Sequence, residues 1–260
     1  MTKAAGAFAD LPNGAAAPEG RLALPNEREV AVLSTTAMKT AFEELGPAFE
    51  RETGYRLKLA FGPSLQLEKR LAEGEGADVA IVTHTGAQDL IAQGRAVAGS
   101  LTDLTRSFIG VCVAKGAPRP DLSSAEAFKR AMLRARSIAL SKPVGGGASG
   151  AHMASVFERL GIVAAIKDKL IYGAGGPDGL VGLIVARGEA ETGIQQMAEL
   201  IAVSGVDIVG PLPDALQSIT QFTALVPTAA LARQGGRAVI DFLCRPTAKA
   251  VIRAKGLDPN

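Results

Sequence analysis

The chain has 260 residues, 47% of them hydrophobic, and its 28 basic against 26 acidic side chains leave a formal charge of +2. That length suits one large or two small domains, and a near-balanced charge with no Lys/Arg block speaks against nucleic acid as a partner. Aromatics at 4% with no Trp leave no surface for stacking bases, and no apolar run reaches the roughly 18 residues that span a bilayer.

Residues 1–27, rich in Ala, Gly and Pro, read as a disordered or loosely packed extension. They hold no continuous apolar core of a signal peptide, so the chain as it stands is expected in the cytoplasm, or in the periplasm if a leader was removed. Residues 30–33 (Val-Ala-Val-Leu) read as a buried strand and Ser34, Thr35 and Thr36 as a polar turn. A helix over 39–52 follows, with Phe42, Leu45 and Phe49 on one face. Residues 55–61 alternate as a second strand, a turn over 62–64 ends in Ser64, and 65–72 form a short helix. A third strand over 77–82 closes at Thr83, His84 and Thr85, before a helix over 86–93. Strand, helix, strand, helix, strand is the parallel α/β pattern.

A strand over 108–113 and a helix over 123–134 come next. The most informative stretch is 141–152, Ser-Lys-Pro-Val-Gly-Gly-Gly-Ala-Ser-Gly-Ala-His, between a short strand (138–140) and a helix with Met153, Val156, Phe157 and Leu160 at helical spacing. A Gly-rich turn opening a helix offers unpaired N–H groups and the positive end of the helix dipole, which suits a small anion. The plain alternative is an ordinary loop with Ser149 as N-cap. Downstream, 179–187 is helical, 192–196 a strand, 206–210 extended, 222–226 a strand, and 236–243 and 247–254 helices. Small or hydroxyl residues therefore close strand after strand, where parallel α/β sheets bind ligands. Each alone is an ordinary cap; their recurrence at one sheet edge points to a site.

No cofactor is expected, because the glycines match neither a dinucleotide fingerprint nor a P-loop. Two histidines without metal-ligand spacing leave no metal site. Cys112 and Cys244 sit in apolar segments and read as buried thiols, a pairing between them staying open.

Three groups of residues bring a family into view: Val32-Leu-Ser-Thr-Thr-Ala, Phe61-Gly-Pro-Ser and Gly76-Ala-Asp-Val-Ala-Ile; then Ala148-Ser-Gly; then Gly188-Glu-Ala-Glu-Thr-Gly-Ile-Gln-Gln and Gly210-Pro-Leu-Pro. Over about residues 28–258 the chain resembles the molybdate-binding proteins of ABC importers. The resemblance implies a type II periplasmic-binding-protein fold, with lobe 1 at 28–107 plus 216–260, lobe 2 at 108–215, two hinge crossovers and one ligand in the cleft. It implies ligand contacts from Ser64, from the helix start Ala148, Ser149 and Gly150, and from the turn at Ser34, Thr35 and Thr36, where the family's first serine falls near Ala37. The family's late tyrosine corresponds to Gln196, and Asp178 stands near its backbone-amide ligand. A carboxylate there would repel a dianion.

Other residues suit a carboxylate ligand. Arg106, at the expected crossover, can engage one bidentately, and Gln195 and Gln196 add amide donors and acceptors. The chain also resembles aconitate isomerase, an enzyme similar to these binding proteins. Such an enzyme needs anion clamps plus a positioned acid or base, for which His84, His152 and Asp178 are the catalytic candidates. The sequence thus predicts a solute-binding protein for a small anion, a polycarboxylate or an oxyanion such as molybdate, served by an importer permease if exported. The alternative is an aconitate-type isomerase on the same scaffold.

Overall fold

The computed structural model describes residues 28–145 and 147–260. The expected extension over 1–27, and with it any leader, lies outside the described residues. Among the described residues, no helix is long and apolar enough to cross a membrane.

The first half is built on β1 (Glu29–Thr35), β2 (Arg56–Gly62) and β3 (Val79–Thr83), with β1 parallel to both others. Between them run α1 (Lys39–Thr53) and α2 (Ser64–Ala72), and α3 (His84–Ala92) follows β3. Helix α1 buries Ala41, Phe42, Leu45 and Phe49, the stripe read from the sequence, and stops at Gly54, whose φ of 73° takes the left-handed cap. Its apolar face packs with α9 (Arg233–Leu243) and α10 (Pro246–Ala254) on one side of the sheet, where Phe49 meets Phe242 edge-on. Helices α2 and α3 cover the other side through Leu67, Leu71 and Leu90.

The second half holds α4 (Ala125–Arg134), β5 (Ile138–Ser141), α5 (Ala148–Arg159), α6 (Val163–Ile166) and β6 (Leu170–Gly173). After them come α7 (Val181–Ala186), β7 (Thr192–Gln196), α8 (Met197–Ile201) and β8 (Val206–Pro211). Strand β5 runs parallel to β6 and β7. Helices again lie on both faces, Phe128 and Phe157 stacking on one and Val181 and Val185 packing on the other. Two cores separated along one sheet make a two-lobed molecule.

The lobes are joined by β4 (Thr102–Ala114) and β9 (Ile219–Leu225). The front of β4 pairs antiparallel with β9 and with β10 (Asp258–Pro259), and its back pairs with β7 and β8. The sequence predicts a strand only from 108; here it starts at Thr102 and runs unbroken through the crossover. The polar run Thr-Asp-Leu-Thr-Arg-Ser imitates a turn, yet Leu104, Thr105 and Ser107 are buried against neighbouring strands. Tertiary pairing overrides the local signal. Likewise β1 continues through Ser34 and Thr35, so the turn begins only at Thr36.

Helix α8, which the sequence does not predict, follows β7 yet puts Ala198 into the lobe-1 core. Gly256 lets it pack closely, since a Cβ there would lie 2.4 Å from Ile201 Cδ1. Cys112 and Cys244 are both free; burial pushes the Cys112 thiol up to about 12, whereas Cys244 is only half-buried.

Candidate functional site: a cleft between the lobes

Each strand end that faces the cleft hands over to a helix start. After β1, Thr36 opens a 3-10 turn (Thr36–Met38) that runs into α1. After β2, Pro63 is the N-cap of α2 and has no side-chain cap to offer, so Ser64 stands buried at an open helix end. After β5, the N-cap of α5 is Gly147 and again supplies no side chain. Ser149 is therefore not the cap; it lies inside the first turn, 1% exposed. Gly150 is required by a close approach, because a Cβ there would sit 2.4 Å from the Lys142 carbonyl oxygen and 2.5 Å from that of Ser141. That contact seats the positive end of α5 on the end of β5.

Between these helix starts, polar atoms are buried with no hydrogen-bond partner among the described residues. They are Thr36 Oγ1, Ser107 Oγ, Ser149 Oγ and Gln196 Oε1. An unsatisfied buried polar group costs about 1–3 kcal/mol, so each of these is a group that a ligand could satisfy. They come from lobe 1, from the crossover strand β4 and from lobe 2. Gln196 Nε2 donates to Thr220 Oγ1 at 2.9 Å, and Thr220 lies directly opposite Ser107 across the β4–β9 ladder. Because a hydroxyl can donate or accept, the Gln196 amide can turn and offer its NH2 to an anion while keeping Thr220. Lobe 2 reaches lobe 1 where Gln66 Nε2 donates to the Gly145 carbonyl at 2.6 Å. Gly175 also lies against Pro63, where a Cβ would be 3.1 Å from Cγ.

Beside this cage is an open chamber of about 530 Å³, lined among others by His84, Asp103, Ala148 and Thr220. His84 is the first residue of α3, whose N-cap Thr83 accepts from the Gly86 amide at 3.1 Å and donates to Glu68 Oε1 at 2.6 Å. Gly86 has to lack a side chain, since a Cβ would fall 2.1 Å from Glu68 Cδ. Burial raises the Glu68 carboxyl above its ordinary value, against the hydrogen bonds from Thr83. The ring of His84 places Nδ1 2.8 Å from Asp103 Oδ1 and 3.2 Å from Thr223 Oγ1, with Nε2 2.9 Å from Gln88 Nε2.

The remaining candidates separate. His152 Nε2 donates to the Leu216 carbonyl at 2.7 Å, pinning α5 to the return crossover. Gln195 points away from Gln196, as strand alternation requires, and accepts from the Val181 amide at 2.9 Å, fixing the start of α7. Ser34 Oγ turns onto the Thr35 carbonyl at 3.3 Å. Arg106, alternating with Ser107, is ion-paired with Asp258 on the neighbouring strand and half exposed, so its guanidinium serves the sheet edge and not the cleft. Asp178 is exposed in the turn Pro177–Gly179. Ser107, Asp103, Thr220 and Thr223 carry no motif and could be found only through strand pairing.

Two α/β lobes joined by two crossover strands define the type II periplasmic-binding-protein fold. Residues 30–258 match the family described as bacterial extracellular solute-binding protein, and the chain belongs to that family. It is 35% identical over 234 residues to an aconitate isomerase from a Pseudomonas species, covering 88% of this chain and 87% of the relative. It is 26% identical to the molybdate-binding protein ModA of Azotobacter vinelandii, covering 88% and 89%. The solved structure of the Azotobacter vinelandii periplasmic molybdate-binding protein superposes with a TM-score of 0.73 at 19% identity, covering 88% of this chain and 98% of that one.

Proposed function

We propose that the cleft takes up a small polycarboxylate and that the chain interconvert its double-bond isomers, trans- and cis-aconitate being the pair suggested by the 35%-identical relative. The observation carrying this reading is the chamber of about 530 Å³ holding His84 beside the cage of unpartnered polar atoms. A tetrahedral oxyanion would fill the cage alone; a tricarboxylate would anchor there and extend into the chamber. The open starts of α2 and α5 carry about half a positive charge each toward its carboxylates. In the reaction, His84 Nε2 takes a proton from the substrate methylene. The C–H electron pair becomes the new double bond, the old π pair shifts to the far carbon, and the imidazolium returns the proton there. One proton leaves and one returns, so the step needs no oxidant, reductant or further reactant. His152, tied to Leu216, would hold the helix that binds the ligand, and Asp178 has no part in the transfer.

The test is a thermal-shift panel of molybdate, sulfate, citrate and both aconitates, with proton NMR of the aconitate samples in D2O. Stabilisation by aconitate with isomer interconversion and deuterium uptake is the expected outcome. Aconitate binding without conversion would reduce the protein to a carboxylate receptor.

A second reading rests on a different observation: among the described residues, the unpartnered cage atoms are all neutral and the chamber lining contains no Lys or Arg. Such a cage suits a compact oxyanion handed to an importer permease outside the cytoplasmic membrane. Stabilisation by molybdate alone would select it.

A further inference from the structure

We propose that Asp103 and Thr223 are positioning residues that hold His84, which lines the chamber, in a single tautomer with its lone pair on Nε2. The inference rests on the isomerase reading for its catalytic consequence, but the geometry stands independently of it.

Three adjacent strands bring the group together. His84 follows the end of β3, β3 pairs with β9, and β9 pairs with β4, where Thr223 lies directly opposite Asp103. Thr223 is fully buried, and its hydroxyl donates to Asp103 Oδ1. Burial tends to raise the Asp103 carboxyl, but the hydrogen bonds from Thr223 and His84 outweigh it and hold the group below its ordinary value. Asp103 is therefore an acceptor only.

From this the proton positions follow. Thr223 has one proton and spends it on Asp103, so toward the ring its oxygen can only accept. Both oxygens near Nδ1, at 2.8 and 3.2 Å, are then acceptors, and Nδ1 must carry the hydrogen. On the other side, Gln88 Nε2 donates to Nε2 at 2.9 Å, consistent with a lone pair there. Gln88 lies one helical turn along the exposed side of α3, and the isomerase reading requires that substrate displace it. The rigid capping of α3 by Thr83 and Glu68 keeps the ring from following it. When Nε2 accepts a proton, the resulting imidazolium faces an ionised carboxylate at its other nitrogen, the arrangement that favours a histidine as base.

The experiment uses the full chain with ¹⁵N-labelled histidine. Only two histidines are present, and His152→Gln assigns the spectrum. His84 is expected to show a protonated Nδ1 and a pyridine-type Nε2. Asp103→Asn should shift the population toward Nε2–H and lower kcat for aconitate about 100-fold, with KM changed far less. Thr223→Val should act in the same direction more weakly, and Thr223→Ser should restore both readouts. An unchanged His84 spectrum in Asp103→Asn overturns the assignment, and a shifted spectrum with unchanged kcat overturns its catalytic consequence. If wild type turns over neither aconitate while Asp103→Asn still moves the tautomer, the isomerase reading fails and the positioning of His84 stands.

Discussion

Each lobe carries one histidine near the start of a helix that follows a strand. His84 begins the helix after β3 in lobe 1, and His152, the fifth residue of α5, lies in the second turn of the helix after β5 in lobe 2. Their chemistry differs because of what lies behind each ring. His84 has an ionised carboxylate and a hydroxyl at Nδ1 and an exposed side-chain amide at Nε2. His152 gives its Nε2 hydrogen to a main-chain carbonyl. On the isomerase reading the ring backed by a carboxylate is the base, and the one bonded to a carbonyl is a brace. Position relative to a helix start does not make a base.

The sharpest way to break this comparison is to remove each ring in turn. His84→Ala should lower aconitate turnover by at least about 100-fold with KM little altered, as expected for loss of a general base. His152→Ala should leave its loss in melting temperature and ligand affinity instead, because the Leu216 carbonyl loses a partner worth about 1–3 kcal/mol. Steady-state kinetics with a thermal melt separates the two. Equal losses of kcat would remove the distinction.

The helix that His152 braces can also be displaced directly. In Gly150→Ala the new methyl meets two carbonyl oxygens at 2.4 and 2.5 Å. Overpacking of that kind costs about 1–3 kcal/mol, and ligand affinity measured by calorimetry should fall about 10- to 100-fold. Ser149→Ala is milder and opposite in sign for the free protein. It deletes an unpartnered buried hydroxyl, so the unliganded melting temperature should hold or rise while affinity drops about 3- to 10-fold, the equivalent of one hydrogen bond.

The hinge-side helix α8 gives a pH signature of its own. Burial pushes the Glu199 carboxyl from 4.5 up to about 7, against hydrogen bonds from the Gln195 side chain and the Gln196 main-chain N–H. A group raised on folding contributes its stability below the unfolded value and loses it as pH rises through the folded one. Melting temperature should therefore carry a falling component between about pH 4.5 and 7 that Glu199→Gln removes. The smallest effect is expected at Arg106, whose exposed pair with Asp258 belongs to a class worth about 0–1 kcal/mol. Arg106→Ala should change aconitate affinity by less than about threefold, and a large loss would return its guanidinium to the ligand.

Much of the fold was legible in the sequence for a local reason. Phe42, Leu45 and Phe49 repeat at helical spacing, and 192–196 is bounded by its own turn signals, so α1 and β7 follow from patterns that span a few residues. The unusual composition of 141–152 likewise pointed to an anion-binding helix start. Other parts were invisible because their signal is not local. The front of β4 carries no apolar strand pattern of its own and is strand only because β9 and β10 pair with it, and α8 is too short to show a period. Gln195 and Gln196 are indistinguishable in sequence; strand alternation sends one to the start of α7 and the other to the cleft. Thr223 and Asp103 are 120 residues apart. The sequence by itself determined most of the helices and which small residues stand near their starts. Only the tertiary structure decided which of those groups share a cleft and which histidine has a carboxylate behind it, because hydrogen-bond partners are chosen by strand pairing across the sheet and not by neighbours along the chain.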